Sequence, residues 1–168
     1  MLSNYEDHNI DPSKYLEQYS KGVLDIDDTK NTDERQKIFD EFKEKKVIAV
    51  FGCGGDRDKE KRPEMGIIGY ELADEIILTS DNPRSEDPVK IIEDIETGIK
   101  AKYPEAKYNK IVDRGKAINK AIMEAEKDDI IIIFGKGHET YQEFADKIID
   151  FDDRKVASQA LNQRSGGK

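Results

Sequence analysis

The apolar residues of this chain are gathered into short unbroken runs, and those runs set the first expectations. Val47-Ile48-Ala49-Val50-Phe51 is followed at once by Gly52-Cys53-Gly54-Gly55, and residues 129–134 (DIIIIF) are followed by Gly135. A short β-branched run without polar alternation, ended by a glycine turn, predicts a strand covered on both faces, as in a parallel sheet. Between the two runs, Pro63 opens a helix expected over 63–72, a strand follows over 75–79, and Pro88 opens a second helix over 88–100. A weaker strand is expected near 110–112 and a helix over 115–126. Upstream, Thr32 as N-cap and the stripe Ile38, Phe39, Phe42 predict a helix over 33–45. Downstream, residues 141–150 suit a short hairpin around Ala145-Asp146-Lys147, and 152–161 a closing helix capped by Asp152. The last residues, Ser165 to Lys168, are expected to fray.

Strands alternating with helices predict an α/β protein: a Rossmann-like, mostly parallel sheet of about six strands flanked by helices, with a C-terminal hairpin and closing helix. Residues 1–31 are polar and acidic, with only the patch Gly22-Val23-Leu24 to interrupt them. They are expected to form an N-terminal arm ahead of one domain over 32–164, in keeping with a length of 168 residues.

Charge narrows the function classes. A formal net charge of -9 repels a polyanion, so nucleic acid is not an expected partner. The single cysteine, Cys53, excludes an intramolecular disulfide, and the first residues, MLSNYEDHNID, have no signal-peptide pattern. No apolar run approaches the roughly 20 residues that cross a bilayer. A cytoplasmic protein without a membrane partner is the expectation.

Three loops follow three expected parallel strands: 52–63 (GCGGDRDKEKRP), 80–88 (SDNPRSEDP) and 135–142 (GKGHETYQ). Ligands of open parallel sheets sit beyond the carboxyl ends of the strands, so the loops are candidates for one shared site. Arg57, Arg62 and Arg84 are planar donors suited to a carboxylate or phosphate, Asp81 and Glu139 can take an ammonium, and Asn82 can donate and accept. Opposed charges in one cleft suit a zwitterion, so an amino acid is the expected ligand. Taken singly, each feature also has a plain structural reading. The glycines of 52–55 can simply turn the chain, Arg57 and Asp58 can pair on the surface, Asp81-Asn82-Pro83 can be an Asx turn, His138 can be a surface residue and Cys53 a packing residue.

Jointly, the strings FGCGGDRDKEKRPEMG, TSDNPRSEDP and GKGHETYQ, in this order, resemble the C-terminal, glutamate ligase domain of the Mur ligase family. The resemblance spans residues 47–161 and is nearest to the tripeptide synthetases that add meso-diaminopimelate to the peptidoglycan precursor. It implies that Arg57 contacts the incoming amino acid, that Asn82 and Arg84 of the DNPR string bind it, and that the Gly135 carbonyl and Glu139 hold its distal amino group. Arg62, Lys136 and His138 are secondary candidates. Family members that use lysine lack an arginine at the DNPR position, so Arg84 implies meso-diaminopimelate, whose extra carboxylate suits a guanidinium.

The resemblance further implies a complete ligase that phosphorylates a stem-peptide carboxylate with ATP and Mg and lets the amino acid's amine attack the acyl phosphate. This chain contains no G-x-x-x-x-G-K-[ST] string. No catalytic residue, metal ligand or bound cofactor is therefore expected in it, and turnover would need an ATPase and UDP-sugar-binding chain or segment. The start of the domain also departs from the family's DYAHTPD-like string: residues 24–31 read LDIDDTKN, with Ile26 and Asp28 where the family has tyrosine and histidine. Three readings thus stay open: a ligase domain, a standalone diaminopimelate or precursor-binding module that has lost its nucleotide site, and, on Ile26 and Asp28 alone, a degenerate domain with a structural or docking role.

Overall fold

The computed structural model describes residues 23–27 and 45–166. Five strands form one sheet in the order β1-β5-β2-β3-β4, with β1 Val23–Asp27, β2 Val47–Phe51, β3 Glu75–Leu78, β4 Asn109–Lys110 and β5 Ile130–Gly135. All four ladders are parallel. Helices α1 (Lys61–Leu72), α2 (Pro88–Lys102) and α3 (Arg114–Glu124) provide the crossovers. A separate antiparallel hairpin, β6 (Tyr141–Glu143) and β7 (Ile148–Asp150), leads to the closing helix α4 (Asp153–Gly166). The helix expected over 33–45 lies, apart from Lys45, outside the described residues.

The unbroken apolar runs explain the three layers. Successive side chains of a strand point to opposite faces, and here both faces are covered. Val47, Ala49, Phe51, Ile76, Leu78, Ile130, Ile132 and Phe134 pack on one side against Ile91, Ile92, Ile95 and Ile99 of α2. Ile48, Val50, Ile77, Ile131 and Ile133 pack on the other against Ala117, Ile118, Ala121 and Ile122 of α3 and Ala157 and Ala160 of α4. Each fully buried Val, Ile or Leu in these layers contributes about 1.5–3 kcal/mol relative to exposure.

Helix boundaries follow local chemistry. Asp87 accepts from the Val89 amide at 2.8 Å ahead of Pro88, and Asp113 accepts from the Lys116 amide at 2.9 Å. Asp152 accepts from the Arg154 amide at 3.0 Å, as its N-cap role requires. The closing helix runs further than its sequence suggests, through Ser165 and Gly166. Tertiary contact holds that end: Arg164 donates to the carbonyls of Ile122 and Ala125 at the end of α3. Of the tail expected to fray, Ser165 and Gly166 are helical, and residues 167–168 lie outside the described residues.

The sheet begins inside the stretch that polarity alone assigns to the N-terminal arm. β1 pairs with β5 in the register Val23↔Ile131 to Asp27↔Gly135. Its partner is more than a hundred residues away, so no local pattern announces it. No helix of the described residues is long and apolar enough to cross a membrane.

Candidate functional site

The chain steps from β2 to β3 to β4 in one direction and then returns to place β5 on the other side of β2. Strand order therefore reverses at β2 and β5, and the crevice beyond their carboxyl ends is where an open α/β sheet binds ligands. The loops 52–60, 79–87 and 136–140 leave from the carboxyl ends of β2, β3 and β5, at and beside this crevice.

The glycines of the first loop serve close approach. The described glycines with positive φ are Gly135 and Gly137, so 52–55 do not use the left-handed conformation. A Cβ on Gly55 would sit 1.8 Å from the Pro83 carbonyl oxygen, and one on Gly52 would sit 2.0 Å from that of Thr79. The lack of side chains lets the second loop lie against the first, and Gly55 N–H donates to the Asn82 carbonyl at 2.8 Å. Asp56 strengthens the seam: its carboxylate accepts from Ser85 Oγ at 2.5 Å and from the Ser85 amide. These bonds, the hydroxyl first, hold its carboxyl below the usual range.

The second and third loops meet around a buried lysine. Lys136 Nζ lies 2.8 Å from Asn82 Oδ1 and 3.4 Å from both Asp81 Oδ1 and Glu139 Oε2. Asn82 Nδ2 in turn donates to Glu139 Oε2 at 2.7 Å, and Glu143 N–H donates to Asn82 Oδ1 at 3.1 Å. Asp81 and Asn82 are buried, whereas the Glu139 side chain keeps 31% of its surface exposed. Gly135, at φ +121°, brings the third loop so near that an added Cβ would stand 3.1 Å from Asp81 Oδ2. The Asn82 side chain thus spans two loops rather than bracing a local Asx turn.

Arg84 sits at the rim of this cluster. Its Nε donates to Glu143 Oε2 at 3.1 Å and its NH1 to the Gly55 carbonyl at 2.8 Å, while NH2 makes no hydrogen bond to a described residue. The backbone at Arg84 has φ +50°, uncommon for a residue with a side chain, and is held by its amide donating to the Glu143 carbonyl at 3.1 Å. Arg57 is exposed at the edge of the first loop, and its guanidinium makes no ion pair with a described residue. Its neighbour Asp58 pairs instead with Lys61.

Arg62, a secondary candidate, is placed differently. It is 1% exposed and gives a bidentate pair to Glu86, another bond to Asp94 at 2.9 Å and a fourth to the Gly54 carbonyl. Its two terminal nitrogens fix the first two loops to α2, while its buried Nε has no hydrogen-bond partner among the described residues. The Arg62 guanidinium, followed by the Lys59 ammonium, holds the Glu86 carboxyl well below the usual carboxylate range. His138 is exposed at the tip of the third loop. Cys53 is buried with its Sγ 3.6 Å from Met65 Sδ, in line with a packing role.

A cluster of carboxylates and an amide at a switch point, with a guanidinium at its rim, can hold a small molecule bearing both an ammonium and a carboxylate. The family model for the Mur ligase, glutamate ligase domain, matches residues 16–137. The chain belongs to this family.

Mur ligase relatives match closely. A UDP-N-acetylmuramoyl-L-alanyl-D-glutamate--2,6-diaminopimelate ligase of Prochlorococcus marinus subsp. pastoris is 47% identical over 149 residues, 87% of this chain and 29% of the relative. Proteins of the same name from Clostridioides difficile and Halalkalibacterium halodurans are 53% and 57% identical over 76% and 70% of this chain, and 26% and 24% of their own lengths. A solved structure of a ligase of that name superposes with a TM-score of 0.75 at 38% identity, over 86% of this chain and 30% of that one. The chain spans less than a third of each of these proteins.

Four participants in this Mur-type domain escape the sequence reading. Gln142 is buried and its amide donates to Ser80 Oγ at 2.8 Å and to the Asp81 carbonyl at 2.6 Å, fixing the second loop against the hairpin. Glu143 engages Arg84. Arg114 and Asp153 form a fully buried ion pair, and the same guanidinium donates to the carbonyls of Phe134 at 2.8 Å and Ser80 at 3.4 Å. This pair ties the base of the second loop to the base of the third. One signal was present: Arg114 opens α3, where the positive end of the helix dipole disfavours a cation, so a strong acceptor was called for.

Proposed function

We propose that this chain is the amino-acid-binding domain of a ligase that adds meso-diaminopimelate to a peptidoglycan precursor. In this reading it binds the incoming amino acid and orients its amine toward an activated carboxylate, a contribution of proximity and orientation. The observation that carries the proposal is the seam between the second and third loops: Asn82 joins Glu139 directly, and Glu143 links Asn82 to Arg84. One hydrogen-bonded unit therefore offers a carboxylate for an ammonium and a guanidinium whose NH2 no described residue engages for a carboxylate. The names of the relatives supply the substrate class.

Asp81, Asn82, Arg84, Gly135 and Glu139 are proposed as the binding set, with Arg57 approaching from the exposed rim. Among the described residues no group of three His, Cys, Asp or Glu side chains is arranged to hold a metal. The sequence holds no P-loop string, and in this reading carboxylate activation belongs to the remainder of such a ligase, on the same polypeptide or a separate one. Calorimetric titration tests the reading. meso-Diaminopimelate should bind the chain at least about tenfold more tightly than lysine, since a site built for a carboxylate leaves its guanidinium unpaired beside lysine. Arg84→Ala should abolish that difference; an unchanged diaminopimelate affinity in this variant would overturn the assignment.

A further inference from the structure

The Lys136 side chain has no solvent exposure and stands behind Asp81, Asn82 and Glu139, so it has no open path to a ligand. Its closest contact, at 2.8 Å, is to the oxygen of the Asn82 amide, and the Glu143 amide N–H donates to that same oxygen. An ammonium and a backbone N–H can only donate. Turning the amide over would place its NH2 group against both of them, donor against donor, so the orientation of Asn82 is imposed. The NH2 group is left facing Glu139, and it holds Oε2 at 2.7 Å.

Charge adds a second element. Among the described residues, Lys136 sets one positive charge against the two carboxylates of Asp81 and Glu139, which leaves this cluster one net negative charge. The Asp81 side chain is 8% exposed and that of Glu139 31% exposed. Arg114 is no counterion for this excess, because its guanidinium is closed onto Asp153. The unbalanced charge therefore opens to solvent at Glu139, where a ligand cation would neutralise it.

We infer that Lys136 is a positioning residue which never touches the ligand: it locks the Asn82 amide, and through it Glu139, so that this carboxylate meets the distal ammonium of a diamino acid. The inference rests on the substrate reading above and deepens it. It also separates two roles with opposite signs. Were Lys136 only a countercharge, its removal would make the site more negative and tighten ammonium binding; as a positioning residue, its removal loosens it.

The test compares meso-diaminopimelate with 2-aminopimelate, which keeps both carboxylates and lacks the second amine, by calorimetry on the full chain. The natural chain should prefer the diamine by about tenfold, the size of a charge-assisted hydrogen bond. In Lys136→Met the preference should collapse to within about twofold, while 2-aminopimelate affinity changes little. The double variant Asp81→Asn with Lys136→Met removes one buried charge of each sign, which protects the fold, and keeps the cluster's net charge at its natural value. It should lose the preference as well. If either folded variant keeps or increases the preference, the positioning role is overturned while the substrate reading stands. If the natural chain binds neither ligand, the substrate reading falls, and this inference falls with it.

Discussion

Two buried cations lie beneath the strand ends of this molecule, and they are wired differently. Arg114 is paired in bidentate fashion with Asp153, both side chains are without solvent exposure, and the remaining donors reach backbone carbonyls of Ser80 and Phe134. Lys136 is equally buried, but it faces two carboxylates and an amide, and one of those carboxylates reaches solvent. The first arrangement balances its charge internally and has nothing left to offer. The second leaves a negative charge unbalanced at the surface of a switch-point crevice. Burial of charge alone therefore does not mark a site; an open valence within the buried cluster does.

The comparison is most exposed to failure at Asp153. Asp153→Ala would leave the Arg114 guanidinium buried without its counterion, and the expected loss is about 3–5 kcal/mol, read from denaturant unfolding. A loss below about 1 kcal/mol would mean that the pair is not the strut described here.

Glu139→Gln sharpens the other side of the contrast. The side chain is partly exposed and an amide oxygen can still accept from Asn82, so stability should stay within about 1 kcal/mol of the natural chain. Binding of meso-diaminopimelate should nevertheless weaken by about tenfold, because the ammonium loses its charged acceptor. A variant that unfolds, or one that binds as before, would put Glu139 in the class of Arg114 and Asp153.

The smallest expected effect concerns the Arg62 and Glu86 pair, which is structural like Arg114 and Asp153 but lies nearer the surface. Arg62, and after it Lys59, depress the Glu86 carboxyl from its ordinary value of 4.5. A carboxyl depressed by folding contributes stability that is present above the unfolded value and lost as pH falls toward the folded one. The natural chain should therefore lose stability between about pH 5 and pH 3, and Glu86→Gln should flatten that slope. Thermal unfolding followed across this window would settle it, and an identical slope in both proteins would remove Glu86 from the acid response.

Much of the architecture was legible beforehand because it depends on local chemistry. Unbroken β-branched runs at 47–51 and 130–134 can only be satisfied by cover on both faces, and the two helical layers provide it. Aspartate and proline at positions 87 and 88 announce α2 within the same few residues that cap it. The three loops were legible as site candidates since each follows such a run. By contrast, Arg62 looked like Arg57 and Arg84 in the sequence, yet it is closed onto Glu86 and Asp94. An arginine's sequence context does not say how many acceptors will surround it once α1 and α2 have packed.

Local sequence accounts for the alternating elements, the two-faced core strands, the loops that carry the polar cluster and the opposed charges within them. Those follow from side-chain periodicity, turn residues and residue type, all of which act over a few neighbours. Tertiary structure alone decided that β1 joins the sheet beside β5, that Asn82 faces Lys136 with its oxygen and Glu139 with its nitrogen, and that Arg114 rather than Arg84 is consumed by a buried aspartate. Each of these is a pairing across 20 or more residues of sequence, set by which partners the sheet order brings within hydrogen-bond reach, and no local pattern encodes that distance.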